Sequence, residues 1–178
     1  MENTTVAYIS LGGNLGDEAA RFARALDMLE ALPGIRLRAV SRLYRTEPQG
    51  DANQPWFSNQ VAALTCAPEI IPAGLLRSML AIEEQLGRVR DPHRRFGPRA
   101  IDLDLLLFGD MVCAEEKVHL PHPRMNERAF VLVPLLDIAP SLTLPDGTPV
   151  RSSLEKLRFR VAKNTIFQEE TVENGKSK

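Results

Sequence analysis

Two carboxylates stand in a stretch of sequence that otherwise favours burial. Asp102 and Asp104 interrupt the aliphatic run of residues 99–108, RAIDLDLLLF. On a β-strand, residues two apart point to the same face, so these carboxylates would lie about 6–7 Å apart and repel by roughly 2.5 kcal/mol. That repulsion would push one of them toward protonation unless a cation offsets it. A few hard oxygen ligands of this kind suit Mg²⁺, which completes its shell with water and phosphates.

An arginine-rich segment directly precedes the acidic strand. Residues 87–99, GRVRDPHRRFGPR, carry five arginines against one aspartate, a local charge of +4; the arginines are Arg88, Arg90, Arg94, Arg95 and Arg99. Guanidinium groups form bidentate hydrogen bonds with phosphate oxygens, and aspartates hold the metal that bridges those phosphates. The two segments together therefore favour a Mg-polyphosphate site, with the arginine segment as a lid that closes over it. Taken separately, the acids could be solvated on an edge strand. The basic segment alone could be a solvated loop or a nucleic-acid patch in which His93 and Phe96 stack.

Hydrophobic spacing and turn residues predict a layered α+β domain. Short apolar runs bounded by Gly, Pro and Asn predict strands over residues 5–11, 35–44, 57–66 and 99–108. In the last of these strands, one face is predicted to be buried through Ile101, Leu103, Leu105 and Leu107. Helical spacing predicts helices from an N-cap at Asp17 to the break at 33–34, and over 72–86 and 127–138. We expect a mainly antiparallel sheet with helices on its faces, one domain over 1–165, and a flexible polar tail over 166–178.

Three further polar features lie near these elements. The turn GGNLGD, residues 12–17, lacks the Gly-Lys-Ser/Thr of a P-loop, so we interpret it as a tight turn that requires a positive φ. His122 lies between two prolines, where it is either structural or a donor to phosphate. Glu83 falls on the apolar stripe of a predicted helix, a place that suits an acid beside a ligand better than one in a dry core.

Composition excludes several classes of protein. The net charge of −1 argues against a surface that grips nucleic acid or acidic lipid throughout. Cys66 and Cys113 have no spacing typical of a metal site or a disulfide framework, so we expect reduced thiols in a cytoplasmic protein. The N-terminal stretch lacks the features of a signal peptide, and no apolar run is long enough to span a membrane.

Four segments share their order and approximate spacing with one known family: YISLGGNLGD, YRTEPQGDANQPWFSNQVA, GRVRDPHRRFGPRAIDLDLLLFGD and LPHPRMNERAFVLVPLLDIAP. The sequence resembles the 6-hydroxymethyl-7,8-dihydropterin pyrophosphokinase family of folate biosynthesis. The GPR-x-IDLD-x-LL-x-G block is the most specific part of the match. The resemblance implies a ferredoxin-like α+β sandwich, usually monomeric. It also implies transfer of the β,γ-pyrophosphoryl group of ATP to the hydroxymethyl group of a reduced pterin, with release of AMP.

The same resemblance implies roles for individual residues. Asp102 and Asp104 would hold two Mg²⁺ ions, and Arg88 and Arg99 would engage the transferring phosphates. Further nucleotide or lid contacts are implied for five residues: Glu83, Arg90, Arg95, His122 and Arg128. The pterin would be held by four others: Thr46 and Asn59 through hydrogen bonds, and Phe57 and Phe130 as the two rings that sandwich it.

Two other functions are weighed against this one. A phospho- or nucleotidyltransferase with another acceptor could use the same aspartate pair, and it would need no pterin pocket. A noncatalytic RNA-binding module of ferredoxin-like fold could use the arginine segment instead. The second alternative predicts a strongly basic domain with stacked aromatics, which an aromatic content of 6% and a net charge of −1 disfavour.

Overall fold

The computed structural model describes residues 3–48, 53–89 and 97–169. The strands are β1 (Thr5–Gly13), β2 (Ile35–Val40), β3 (Tyr44–Thr46), β4 (Phe57–Cys66), β5 (Asp102–Phe108), β6 (Cys113–Glu115), β7 (Val118–Leu120), β8 (Phe159–Ala162) and β9 (Thr165–Gln168). The helices are α1 (Glu18–Glu30), α2 (Pro72–Gln85), α3 (Ala129–Ile138) and α4 (Val150–Leu154), and a 3-10 turn at Met125–Glu127 precedes α3. None of these helices is long and apolar enough to cross a membrane.

The main sheet has the strand order β5-β1-β4-β3-β9-β8, and β2 also pairs with β4. The pairings of β1, β2, β4 and β5 are antiparallel. Strands β1, β2, β4 and β5, with α1 after the first and α2 after the third, form the β-α-β-β-α-β arrangement of ferredoxin-like folds. The predicted α+β layered fold, with a mainly antiparallel sheet, is confirmed. The single parallel pairing described joins β3 to β9.

Two hydrophobic clusters cover the two faces of this sheet. Helices α1 and α2 pack on one face against Ile9, Leu64 and Leu103, while α3 and α4 pack on the other against Val61 and Leu106. The predicted burial of alternate residues in β5 holds for residues 101, 103 and 105. It is wrong for the face of Leu107, which packs with α3, because the register against β1 shifts between Tyr8 and Ile9 and inserts one extra residue.

Local signals placed most element ends correctly. Asp17 caps α1 by accepting a hydrogen bond from the Ala20 amide, and Gly87 ends the turn after α2 with φ of +88°. In the turn after β1, Gly16 has the positive φ expected there, +80°. Pro134 lies inside α3.

Two predicted boundaries are wrong. The strand expected over 35–44 is divided into β2 and β3, because Ser41 interrupts the ladder and its hydroxyl accepts from the Val61 amide. The expected boundary at 165 falls inside the fold, since β9 continues to Gln168 and Ile166 is 2% exposed.

Asp137 joins the C-terminal end of α3 to the start of β3. Arg42 donates to its two oxygens from Nε and Nη2 at 3.1 and 2.6 Å, and the Tyr44 hydroxyl donates at 2.9 Å. Burial of this carboxyl acts to raise its pKa, but the hydrogen bonds from Arg42 and Tyr44 outweigh burial and lower the pKa. Burial, together with its hydrogen bond to Asp137, raises the pKa of Tyr44 to about 12.

We expect the substitution Asp137→Ala to lower the free energy of unfolding by about 2 kcal/mol, because the buried Tyr44 hydroxyl loses its partner. The pKa of Asp137 is lower in the folded state, so its stabilisation is present above the ordinary Asp pKa and is lost as pH falls through the folded value. Urea unfolding should therefore show a smaller difference from wild type at pH 3 than at pH 7. The variant Tyr44→Phe is the control, because it removes the hydroxyl together with its need for a partner.

Candidate active site

Strand β5 places the two aspartates together at one end of the sheet. In its pairing with β1, Asp102 lies opposite Gly12 and Asp104 opposite Ser10. Their side chains are 25% and 33% exposed, while Leu103 between them is buried in the core. The prediction that the two carboxylates share the open face of a half-buried strand is confirmed.

Two arginines from opposite sides converge on Asp102. Arg88, just after the turn that ends α2, lies with Nη2 3.3 Å from Oδ1, and Arg99 lies with Nε 3.3 Å from Oδ2. The Nε atoms of both arginines are buried, and neither makes a hydrogen bond within the described residues; that of Arg99 contacts Asp102 only as an ion pair. Buried guanidinium donors without a partner are costly unless a ligand accepts from them, so these atoms indicate a place for an anion.

Asp104 has its own pair of basic neighbours. Arg128 Nη1 lies 3.4 Å from its Oδ2, and His122 Nε2 lies 3.9 Å from its Oδ1. The other ring nitrogen of His122, Nδ1, accepts from the Arg124 amide at 3.2 Å. Burial lowers the pKa of His122 against the opposing effect of Asp104. The neutral imidazole therefore carries its proton on Nε2, facing Asp104.

Each aspartate is connected through an arginine to an aromatic ring. Arg99 lies over the ring of Phe57 with Cζ 4.9 Å from the centroid. Arg128 lies over the ring of Phe130 at 5.8 Å. Phe57 and Phe130 are half-buried and lie far apart in the sequence, so these arginines bring both rings to the acidic pair.

A buried amide and hydroxyl lie beside Phe57. Thr46 pairs with Phe57 across β3 and β4, and Asn59 lies two residues further along β4. Asn59 Nδ2 donates to Thr46 Oγ1 at 2.8 Å, and both residues are about 7% exposed or less. Asn59 also faces Gly12, where a Cβ would come within 3.5 Å of its Oδ1. The oxygen of this fixed amide can accept from a flat polar ligand.

Burial is the largest influence on the pKa of Asp102. It raises the pKa of Asp102, Arg99 opposes that rise, and Asp104 adds to it. Repulsion between the two acids, the cause expected from the sequence, therefore acts in the predicted direction but is smaller than the cost of burial. Burial also lowers the pKa of Arg128.

The remaining predicted site residues are Glu83, which is buried, and two arginines outside the described residues. Glu83 is 1% exposed, and its Oε1 accepts from the Leu103 amide at 2.7 Å, so it supports the edge of β5 between the aspartates. Its contact with a nucleotide stays a prediction. Arg90 and Arg95 lie outside the described residues, as do His93, Arg94 and Phe96.

Asn14 is a structural residue of the site that sequence reasoning missed. Its side-chain Oδ1 accepts from the backbone amide of Arg99 at 2.8 Å, and its backbone amide donates to the Arg99 carbonyl at 3.0 Å. Its Nδ2 donates to the Pro55 carbonyl at 2.9 Å. A Cβ on Gly13 would come within 2.6 Å of the Ala100 carbonyl, so this glycine permits the close approach. The glycine-rich turn thus holds Arg99 and the segment before Phe57 together.

The aspartate pair is the candidate metal site. Among the residues the structure describes, no group of three or more His, Cys, Asp and Glu side chains could hold an ion. Two carboxylates on one face fit a cation that takes its other ligands from water and phosphate. The raised pKa of Asp102 fits as well, since a divalent cation would favour its ionised form.

Comparison with known proteins settles the family. A sequence model described as 7,8-dihydro-6-hydroxymethylpterin-pyrophosphokinase (HPPK) matches residues 8–140, most of the chain and every site residue above. The chain belongs to the HPPK family. Members of this family are pyrophosphokinases of folate biosynthesis, so the protein is an ATP-dependent diphosphotransferase.

Individual relatives agree with this assignment. The 2-amino-4-hydroxy-6-hydroxymethyldihydropteridine pyrophosphokinase of Methylorubrum extorquens is 50% identical over 153 residues, covering 86% of this chain and 94% of that protein. The enzyme of the same name from Pseudomonas aeruginosa is 49% identical over 140 residues, covering 79% and 84%. The fold matches the crystal structure of Plasmodium falciparum HPPK-DHPS wild type with SDX-DHP, with a TM-score of 0.69 and 15% identity over 93% of this chain and 50% of that one.

Proposed function

We propose that the protein catalyses Mg²⁺-dependent transfer of the β,γ-pyrophosphoryl group of ATP to the hydroxymethyl group of 6-hydroxymethyl-7,8-dihydropterin. The products are the dihydropterin diphosphate and AMP. The observation that carries the proposal is the connection of each aspartate, through an arginine, to a phenylalanine ring. This arrangement combines a phosphate site with a neighbouring site for a flat ring. We expect a monomer, as the family resemblance implies.

The phosphate half of the site is formed by arginines. The buried Nε atoms of Arg88 and Arg99 make no hydrogen bond within the described residues, and phosphate oxygens would accept from them. Arg128 and the Nε2 proton of His122 provide further donors on the Asp104 side. These donors are held before substrate arrives, so they stabilise charge on the transferring group without reorganisation.

Asp102 and Asp104 would hold Mg²⁺, and two ions are expected there. Bound Mg²⁺ would supply charge neutralisation on the phosphates and a lower pKa for the pterin hydroxyl. The chain itself contributes the two carboxylates, fixed on β5, and the arginines that flank them.

The pterin half uses stacking and one fixed amide. Phe57 and Phe130 provide two apolar surfaces for a flat bicycle, and Asn59 and Thr46 provide buried hydrogen-bonding groups beside Phe57. Such a pocket favours this function over transfer to an acceptor without a flat polar ring.

The reaction forms one bond and breaks one. The hydroxymethyl oxygen attacks the β-phosphorus, its proton leaves to solvent or phosphate, and the bond between the α,β-bridging oxygen and the β-phosphorus breaks as AMP departs. Catalysis rests on alignment and electrostatic stabilisation by this chain's arginines, because the transition state spreads negative charge over phosphate oxygens.

The test of the proposal is product identity. The purified protein, incubated with ATP, Mg²⁺ and 6-hydroxymethyl-7,8-dihydropterin, should form AMP and dihydropterin diphosphate in equal amounts. Omission of the pterin or of Mg²⁺ should abolish both products. Formation of ADP in place of AMP would contradict the proposed transfer.

We expect the substitution Asn59→Ala to raise the KM for the pterin about tenfold and to leave the KM for ATP close to wild type. The truncation removes the buried amide and leaves Thr46 Oγ1 without its donor. Steady-state kinetics with each substrate varied in turn measure the two constants. Equal changes in both KM values would indicate general loosening of the site, and an unchanged pterin KM would favour a different acceptor.

A further inference from the structure

The C-terminal hairpin, β8 and β9, lies outside the part of the chain that the family model matches, yet it reaches the active site through one side chain. Gln168 Oε1 accepts from the Ala129 amide at 2.7 Å, and its Nε2 donates to the Glu127 carbonyl at 2.7 Å. These two bonds enclose Arg128. We infer that Gln168 is a positioning residue that holds Arg128 in place to bind ATP, an inference that rests on the proposed function of Arg128.

The backbone at Arg128 is held by hydrogen bonds from its own segment, with Met125, Val131 and Leu132, and Gln168 adds two from outside it. Arg128 connects the 3-10 turn to α3 and is extended, with φ −120° and ψ 100°. The side chain of the N-cap residue, Arg128 itself, does not cap α3, so the Ala129 amide is one of the first donors that have no partner within the helix. The Gln168 amide takes the place of a local N-cap and also satisfies the carbonyl on the other side of Arg128. Both peptide groups flanking the Arg128 Cα are thereby fixed.

The direction of the Arg128 side chain matters because it makes two contacts at once. Its Nη1 lies 3.4 Å from Asp104, and its Cζ lies 5.8 Å from the centre of the Phe130 ring. The side chain is 19% exposed. A rotation of the peptide at this position would break both contacts, since guanidinium pairing depends strongly on geometry.

The hairpin that carries Gln168 is itself anchored beside the pterin residues. Strand β9 pairs with β3, where Ile166 lies opposite Thr46, and the Arg45 amide donates to the Asn164 carbonyl at 2.8 Å. Phe167 and Trp56 form a T-shaped contact with 5.8 Å between ring centres. Gln168 is therefore held by the sheet in reach of α3, and the hairpin connects the two halves of the site.

The experiment compares Gln168→Leu with wild type, since Leu removes both hydrogen bonds at similar volume. We expect the KM for ATP to rise about fivefold, with kcat much less affected. In the Arg128→Ala background the same substitution should produce no further change in KM, because there is no guanidinium left to position. Gln168→Glu keeps the acceptor for the Ala129 amide and should recover part of the ATP affinity. Glu169→Ala is the matched control, because the side chain of this exposed neighbour forms an ion pair with Arg158, at 3.8 Å.

The fluorescence of Trp56, the one tryptophan of the sequence, reports independently whether the hairpin stays packed on the sheet, because Trp56 contacts Phe167. Unchanged Trp56 fluorescence and thermal midpoint together with a raised ATP KM would support the inference. A lower midpoint with an unchanged KM would show that Gln168 is only structural and would overturn it. If Arg128→Ala raises the ATP KM and Gln168→Leu does not, the inference about Gln168 fails while the role proposed for Arg128 stands. If Arg128→Ala has no effect on that KM, the role proposed for Arg128 fails with it.

Discussion

Replacing Asp102 by Asn should lower kcat about 10³-fold while the protein remains folded. The substitution removes one negative charge from the pair on β5 and leaves Arg88 and Arg99 without their shared partner. Both arginines would then be free to reorient, so the loss combines weaker Mg²⁺ binding with misplaced phosphate contacts. Single-turnover rates measured over a range of Mg²⁺ concentrations should show a small residual rate with little dependence on the metal.

The thermal stability of Asp102→Asn should change in the opposite direction to its activity. Burial raises the folded-state pKa of Asp102 above its unfolded value, so the ionised carboxylate costs stability at neutral pH. A group shifted in this sense stabilises the fold below its unfolded pKa, and the stabilisation is lost as pH rises through the folded pKa. The thermal midpoint of Asp102→Asn without ligand should therefore equal or exceed that of wild type. Asp110→Asn, on an exposed turn after β5, is the matched control and should retain full activity.

Replacing Arg99 by Ala should lower kcat about 10²-fold, the effect typical of removing one charged group that stabilises a transition state. Arg99 contacts both halves of the site, since its guanidinium lies 3.3 Å from Asp102 and over the ring of Phe57. We therefore expect the KM for the pterin to rise as well. Steady-state kinetics with both substrates varied separate the two effects.

The variant Arg99→Lys distinguishes the effect of the positive charge of Arg99 from that of its planar shape. Arg99→Lys keeps the positive charge but loses the planar group that covers Phe57, so it should recover part of kcat and little of the pterin KM. Arg36→Ala, an exposed arginine on β2, is the matched control and should behave as wild type. Full activity of Arg99→Ala would exclude a role for this residue in transfer. Additive effects of Arg99→Ala and Asp102→Asn would show that the pair does not act as a unit.

Features that depend on near neighbours in the chain could be predicted from the sequence. Alternation in β5 placed both aspartates on one face, because side chains on a strand repeat every two residues. The caps at Asp17 and Gly87 marked helix ends, because each residue satisfies a local backbone requirement. The four family segments identified the enzyme class, which the comparison of residues 8–140 confirmed.

Features that depend on distant parts of the chain were decided only by the tertiary structure. The pairing of Asp104 with Arg128 and the hydrogen bonds of Asn14 join segments that no periodicity relates. The register shift that turns Leu107 to the other face arises where β5 meets β1, so the sequence of β5 alone carries no sign of it.

The C-terminal segment illustrates the same distinction. Its polar composition predicted a tail from residue 166, yet Ile166 and Gln168 belong to the fold because β3 and α3 offer them partners. A four-residue strand has too few apolar positions for the sequence pattern to predict it. Residue types and local spacing therefore determined the chemistry available to this protein. The long-range pairing of strands and helix ends decided which groups meet. Such contacts stabilise the protein only after folding has brought distant segments together.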